Sequence, residues 1–389
     1  MLKYSLRLLT IFLVCTCFMF SFVFPVQAAN IETSAESAIL IDAETGKILY
    51  EKEPHKELPP ASVTKLMTLL VACEAIENGK ADLKDTVVAS EKASSLGGSQ
   101  IYLEPGEKFS LEEMLISIAV GSANDACVAV AEHLFGTHEE FVAAMNEKAQ
   151  ALGLKNTHFV NSYGLPAEGH YTSAYDMAVI GREALKHPLI TKLTSIKEYD
   201  LRNGEFKLWN TNKLLWWYEG TEGFKTGWTQ EAKYCLASTV KRDGLRLICV
   251  VMGVPQVRGH FQESMKIYNY GFANYKYEEF APAGSKQGEL TVIKGSKTSV
   301  ELVAEKTVGA CVLKGKDKDL RMETKINPSV NAPVTKGQKL GEIIIYCGQE
   351  EQGRINLIAK EDVARASLWE MLQRTLKNTY GMSSPQIHP

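Results

Sequence analysis

The chain carries no excess of either charge: 43 Lys and Arg against 46 Asp and Glu leave a formal −3 over 389 residues. That balance gives no basic footprint for nucleic acid. None of its eight cysteines stands in a Cys-x-x-Cys pair and none of its eight histidines in His-Glu-x-x-His, so zinc and thioredoxin-like redox chemistry find no support. His133 and His138 are five apart, off the helical spacing for a shared metal, and read as surface residues. No internal repeat appears. There is no bias of composition either: 45% apolar and 23% charged residues are ordinary for a globular protein, which excludes disorder, collagen and coiled coil for the whole. The length suits two or three domains with a substantial core.

What is present begins with a leader. Lys3 and Arg7 are the only charges before Glu32, Leu8 to Phe24 is almost wholly apolar, and Val26-Gln27-Ala28 ends in small residues. A basic start, an apolar middle and a small-residue exit predict a secretory signal over residues 1–28. The alternative is an uncleaved anchor, although this largely apolar run of 17 residues sits at the lower edge of what spans a bilayer. Cys15 and Cys17 follow Val14 and Thr16 rather than Gly or Ala, which argues against a lipoprotein. Of the six later cysteines, Cys73, Cys127 and Cys249 lie in apolar runs and read as core filler, and a disulfide is left open.

Ala38 to Asp42 and Lys47 to Tyr50 read as a hairpin around Ala43-Glu44-Thr45-Gly46. From Ser62 the apolar residues Val63, Leu66, Met67, Leu70, Cys73 and Ile76 recur at three and four, a helix ended by Asn78-Gly79. Further helices are expected around 111–119, 123–134 and 139–152. Phe224 to Thr229 reads as a strand, and Cys235 to Val240 with Leu245 to Val254 as an apolar hairpin. Hairpins at both ends with helices between predict an α/β (α+β) sandwich, one antiparallel sheet with helices packed on it, over residues 29–280. Short β-rich runs then alternate with Gly and Pro over 281–360: Leu290 to Ile293, Ser299 to Ala304, Ala310 to Leu313, Lys339 to Tyr346 and Ile355 to Ala359. These predict a small all-β domain.

Residues 361–389 differ again. Leu368, Trp369, Leu372, Thr375, Leu376, Thr379 and Tyr380 share one side of a helix, and Ser367, Glu370, Gln373, Arg374 and Lys377 the other. An amphipathic helix of this kind suits a membrane interface; the plainer reading docks it on its own β module.

Three short motifs carry chemistry. Ser62-Val63-Thr64-Lys65 places a hydroxyl at a helix start, where free N–H groups favour an oxyanion, and a lysine one turn on. A serine hydroxyl is a weak nucleophile until a base takes its proton, and lysine is a base only when burial or another cation lowers its pKa. The bland alternative is a capping Ser with a surface Lys. Ser122-Ala123-Asn124 stands at a loop-to-helix junction. There Ser122 is a candidate proton relay, and Asn124 a candidate donor to a substrate amide and acceptor from Lys65; the alternative is a helix N-cap. In Lys225-Thr226-Gly227, Gly227 lets a substrate backbone lie alongside as an added strand, while Lys225 and Thr226 suit a carboxylate. Lys225 would also disfavour a charged Lys65, and the N–H groups of Trp228 and Ser62 are candidates for an oxyanion hole. The alternative is a strand end with an exposed Lys.

Together, Ser-x-x-Lys, Ser-x-Asn and Lys-Thr-Gly in that order are the signature shared by class A β-lactamases and penicillin-binding proteins. The chain closely resembles the serine D-alanyl-D-alanine carboxypeptidases, the low-molecular-mass penicillin-binding proteins of peptidase family S11. Pro60-Ala61 before Ser62, Gly164-Leu165, His170 to Ala178 and Asn210-Thr211-Asn212 add to the likeness. It implies the DD-peptidase fold followed by a β-sandwich-like module. It implies catalysis by Ser62, Lys65 and Ser122, with Asn124, Lys225, Thr226, Gly227 and Trp228 binding the substrate. The implied partners are peptidoglycan stem peptides, with β-lactam antibiotics as inhibitors and no nucleic acid. No metal or organic cofactor is required. The implied location is the outer face of the bacterial cytoplasmic membrane, held by the C-terminal helix. Trp228 stands where some members carry His, which bears on substrate preference. The competing readings are a class A-like β-lactamase, which needs a deacylating glutamate, and a non-catalytic wall-binding protein. Glu198 follows Asn124 too late for that glutamate, and a lactamase has no use for residues 281 to 389.

Overall fold

The computed structural model describes residues 31–380. The leader expected at 1–28 lies outside them, as do the residues beyond 380. The chain opens with the hairpin β1 (Ser37–Asp42) and β2 (Ile48–Lys52). A 3₁₀ turn over Ala61–Thr64 runs into helix α1 (Lys65–Glu77). The helices α2 (Asn124–Phe135), α3 (His138–Ala151), α4 (Ala174–Ala184) and α5 (Pro188–Thr194) follow. Strands β3 (Thr221–Thr229), β4 (Lys233–Arg242) and β5 (Leu245–Val254) then lead to helix α6 (Gly259–Asn274). The sheet is antiparallel in the order β2-β1-β5-β4-β3, which leaves β3 at an edge.

The period-two alternation of a strand explains why this sheet is covered on both faces. Ile39 and Ile41 of β1 pack with Val63, Leu66, Ala178 and Ile248, whereas Leu40 between them meets α6 at Gly271. A Cβ on Gly271 would stand 2.7 Å from both Leu40 and Leu247, so the bare backbone is what lets α6 approach. Helix α1 is buried almost all round, from Lys65 through Cys73. The periodic stripe read from the sequence is only one of its contact faces. Val63, Leu66, Met67 and Leu70 join the core beside the sheet, while Leu69 and Ala72 join a second core with Met114, Ile118 and Val128. Full burial of each such aliphatic side chain contributes about 1.5–3 kcal/mol.

The second domain begins earlier than the run of β signals suggested. Its first strand, β6 (Tyr275–Ala281), pairs with β9 (Val308–Leu313). Between and after them come β7 (Lys286–Ile293), β8 (Ser299–Ala304), β10 (Leu320–Ile326), β11 (Ser329–Asn331), β12 (Lys339–Cys347) and β13 (Glu350–Ala359). Six of them form a sheet in the order β10-β12-β13-β8-β7-β11 around a separate core that includes Leu290, Leu302, Ile343 and Leu357. Strand β10 gave little sequence signal because it is an exposed edge strand of mostly polar residues.

Two surface features depart from or refine expectation. His138 is buried, not a surface residue; its Nε2 lies 3.0 Å from Ser162 Oγ, under the loop that carries Gly164. The last helix, α7 (Leu368–Tyr380), leaves Leu368, Trp369, Leu372 and Leu376 exposed. Its Arg374 donates to the carbonyls of Gly295 and Ser296 at 2.7 Å and 2.5 Å. The helix therefore turns its arginine side to the β module and its apolar side away. Among the described residues no helix is long and apolar enough to cross a membrane. All six described cysteines are free.

Gly164 sets the approach of its loop to the turn that carries Ser62. It has φ 86°, and a Cβ there would sit 1.9 Å from the Ala61 carbonyl oxygen. Gly164→Ala is expected to destabilise the protein by about 1–3 kcal/mol, from overpacking and left-handed strain; a denaturant midpoint equal to wild type would contradict this.

Candidate active site

Four chain segments meet at one crevice. The first is the 3₁₀ turn with Ser62, followed by Lys65 at the start of α1. Lys65 is wholly buried. Its Nζ lies 2.9 Å from Ser62 Oγ, 2.7 Å from Asn124 Oδ1 and 2.6 Å from the Tyr163 carbonyl oxygen. The two carbonyl oxygens can only accept. In the neutral amine they take its two N–H bonds, and the remaining lone pair faces the serine hydroxyl.

The second segment ends a π-helical turn over Ser117–Gly121. Ser122 follows in the left-handed region, φ 60° and ψ 32°, and Ala123, not Ser122 or Asn124, is the cap of α2. Neither polar side chain is spent on capping. Asn124 is fixed instead by Nδ2 donating to Gly97 O at 2.7 Å, which turns Oδ1 toward Lys65. Ser122 Oγ is buried and has no hydrogen-bond partner among the described residues. Ala61, at φ 48°, is a second non-glycine residue in the left-handed region. Backbone of this kind stays in place only where its surroundings over-determine it.

The third segment is edge strand β3. Lys225 is wholly buried and makes two long contacts, 3.3 Å to Ala119 O and 3.5 Å to Thr211 Oγ1. Thr226 Oγ1 donates to Thr211 Oγ1 at 2.7 Å. A Cβ on Gly227 would stand 3.0 Å from Ser62 N and 2.9 Å from Pro60 O. Glycine is thus what lets the strand pass the turn that carries Ser62. Trp228 is 59% exposed at the strand's open end.

Supporting groups come from the fourth segment, residues 161–172. Asn161 Oδ1 accepts from the N–H groups of Tyr163 and Gly164 at 3.2 Å and 2.6 Å. Thr68 donates to Ser162 O at 2.5 Å. Together they hold the Tyr163 carbonyl over Lys65. His170 Nδ1 accepts the Val160 N–H at 2.9 Å, so its proton sits on Nε2 and is donated to Thr64 Oγ1 at 3.0 Å. Burial pushes that imidazole down to about 4, and it stays neutral. A backbone carbonyl such as that of Tyr163 has no sequence signature. Thr211 had one only through the Asn210-Thr211-Asn212 likeness.

Electrostatics follow from burial. Desolvation brings Lys65 from its ordinary range down to about 8. Lys225 falls to about 7, by desolvation first and then by the positive charge on Lys65. Burial, more than like-charge repulsion, is what prepares Lys65. No carboxylate hydrogen-bonds or ion-pairs with either lysine among the described residues. Glu198 is on the surface, 3.0 Å from Lys207.

The chain is similar to known proteins along most of its length. Residues 24–256 match the family described as D-alanyl-D-alanine carboxypeptidase, peptidase S11. Residues 275–365 match the C-terminal domain of penicillin-binding protein 5. The chain is 42% identical over 354 residues to the D-alanyl-D-alanine carboxypeptidase DacF of Bacillus subtilis, covering 90% of this chain and 91% of that one. It is 35% identical over 320 residues to the D-alanyl-D-alanine carboxypeptidase DacA of Escherichia coli K12, covering 80% and 79%. Among solved structures, penicillin-binding protein 5 of Haemophilus influenzae superposes with a TM-score of 0.73 at 34% identity, over 86% of this chain and 99% of that one. The ampicillin-bound penicillin-binding protein D2 of Listeria monocytogenes gives 0.58 at 30% identity, over 62% and 99%. By matched length, identity and shared architecture across both domains, the chain belongs to the serine D-alanyl-D-alanine carboxypeptidases of peptidase family S11.

Proposed function

We propose that the protein removes the terminal D-alanine from peptidoglycan stem pentapeptides through an acyl-enzyme on Ser62, and that penicillins acylate the same serine. The observation that carries this reading is the Lys65 amine, buried and held between Ser62 Oγ and two obligate acceptors. As Ser62 Oγ bonds to the peptide carbonyl carbon, neutral Lys65 takes its proton. The N–H groups of Ser62 and Trp228 hold the oxyanion. On collapse the C–N bond breaks, and Ser122 passes a proton to the departing amine. Water then attacks the ester, assisted by Lys65 or Ser122, and restores the serine. Asn124 orients the substrate amide and the lysine. The stem peptide adds as a strand along β3 beside Gly227, with its carboxylate on Lys225 and Thr226. The long contacts of Lys225 leave that ammonium underused until an anion arrives. Such an anion would keep the proton on Lys225 and, through repulsion, favour the neutral form of Lys65.

The lactamase reading loses its support, because no carboxylate among the described residues hydrogen-bonds Ser62 or Lys65. A penicilloyl adduct should persist for minutes, whereas turnover in milliseconds would restore that reading. The non-catalytic reading is disfavoured because Ser62, Lys65 and Lys225 are all present and gathered.

The same proposal places the protein outside the cytoplasm. The leader at 1–28 directs export, and the outward apolar side of α7, with Trp369, Leu372 and Leu376 exposed, rests on the outer face of the membrane.

Fluorescent penicillin should label the wild type and not Ser62→Ala; label retained on that variant would move the nucleophile elsewhere. Lys65→Ala should lose acylation while keeping the wild-type circular dichroism spectrum. Acylation should also depend on pH with a definite sign. Below about 7 both lysines are protonated, so the second-order rate should fall by about tenfold per pH unit. A rate that is flat or rising as pH drops from 7 to 5 would exclude a lysine base. In sedimentation with anionic phospholipid vesicles, the protein should pellet, and Trp369→Ser with Leu372→Ser should leave it in the supernatant with penicillin labelling unchanged.

A further inference from the structure

A second charged cluster lies at the far end of α1, about 14 Å along the axis from Lys65 at the rise of an α-helix. Glu74 and Glu77 come from the last turns of α1, Glu183 from the end of α4, and His187 from the turn into α5. His187 is 9% exposed. Its Nδ1 is 2.8 Å from Glu77 Oε2, a carboxylate oxygen that only accepts, so this nitrogen carries the proton and donates it. In the neutral ring, Nε2 then presents a lone pair. That nitrogen is buried, has no hydrogen-bond partner among the described residues, and faces Glu74 Oε1 at 3.6 Å. Glu74 Oε1 accepts from Lys148 Nζ at 2.5 Å, so of this facing pair only the imidazole nitrogen is left without a hydrogen bond.

We propose that Glu74, Glu183 and His187 form a binding site for a divalent transition metal, with zinc the best match, and that the Lys148 ammonium is its displaceable stand-in. One ligand atom from each residue already lies within 4.8 Å of the others. Zinc with ligands at about 2.0–2.1 Å in a tetrahedron sets neighbouring ligand atoms about 3.3 Å apart. The Nε2 to Oε1 separation is close to that edge, and small rotations of the two glutamates supply the rest. Imidazole nitrogen and carboxylate oxygen are both ordinary zinc ligands. Glu77 completes the pattern, because a metal-binding histidine normally donates its other N–H to a carboxylate. Lys148 Nζ now bridges Glu74 Oε1 at 2.5 Å and Glu183 Oε1 at 3.2 Å, which shows that the cluster calls for a cation. Its flexible stem, 18% exposed, lets the ammonium swing to solvent. The ion would staple the end of α1 to the turn between α4 and α5. Acyl transfer does not use it, so its effect falls on stability.

The test is titration of the EDTA-treated, dialysed protein with zinc chloride by calorimetry, paired with the visible spectrum of the cobalt(II) form and melting curves. One equivalent of zinc should bind, cobalt should show the intense bands of tetrahedral coordination, and zinc should raise the melting temperature. His187→Gln should abolish these signals. Glu77→Gln should weaken binding by about 10–100-fold. Lys148→Ala, which removes the competitor and spares every ligand, should tighten it. Penicillin labelling of each variant reports whether the fold survives. No saturable binding in either wild type or Lys148→Ala would overturn the site and leave His187 as a hydrogen-bond partner of Glu77 alone. Undiminished binding in a folded His187→Gln variant, or no tightening in Lys148→Ala, would overturn it equally.

Discussion

Among the described residues two lysine side chains, Lys65 and Lys225, are wholly buried with no carboxylate hydrogen-bonded or ion-paired to either, and the rest of the catalytic domain is arranged around that fact. Taking an ammonium out of water costs several kcal/mol even after the protein relaxes. The available relief is loss of the proton, and a lysine that has lost its proton is a base. The helices and strands supply that burial. Helix α1 lies between two apolar cores, and β3 is braced by β4 on one side while the nucleophile's turn rests on Gly227. The linkage has a clear sign. Both lysines have folded pKa values below their ordinary range, so the native state binds fewer protons than the unfolded chain. The stability they withhold is withheld in full at low pH and is recovered as pH rises toward the ordinary lysine value.

The strained backbone belongs to the same economy of placement. Ala61 and Ser122 hold left-handed conformations that cost energy locally. Each stands beside a residue that must reach the crevice from an element whose regular path would carry it elsewhere. Ser122 breaks the π-helical turn, so that Ala123 rather than a polar residue caps α2 and Asn124 is left free to turn inward.

Much of this was legible in the sequence because the reactive groups are side chains at short, fixed spacings. Ser62 and Lys65 are one turn apart on any helix, and Lys225 and Gly227 are two apart on any strand. The central hairpins and buried helices were legible through apolar periodicity. The unreadable parts have physical reasons too. The Tyr163 carbonyl that completes the Lys65 environment is a backbone atom, common to every residue type. The burial of His138 depends on the 161–164 loop folding over it, a contact between distant segments. Strands β6 and β10 are rich in charge and carry no clean alternation. Helix α1 read as amphipathic, but burial on all sides arises only when two cores form around it. Across the domain boundary, Lys47 of the first hairpin reaches Gln352 Oε1 at 2.5 Å and Cys311 O at 3.4 Å, a tie between residues some three hundred positions apart that no local pattern announces.

Strand β3 lies at the margin of its sheet and passes the turn that carries Ser62, with one edge that pairs with no other strand among the described residues. Proteins ordinarily disguise such borders, because an open border invites any extended chain to zip onto it. Here concealment would abolish use. The border is narrowed instead: the turn that carries Ser62 crowds the stretch at Gly227. Under the proposed function the chain admitted there is a short one ending in a carboxylate, and the same narrowness keeps longer strands, including those of other copies, from zipping on.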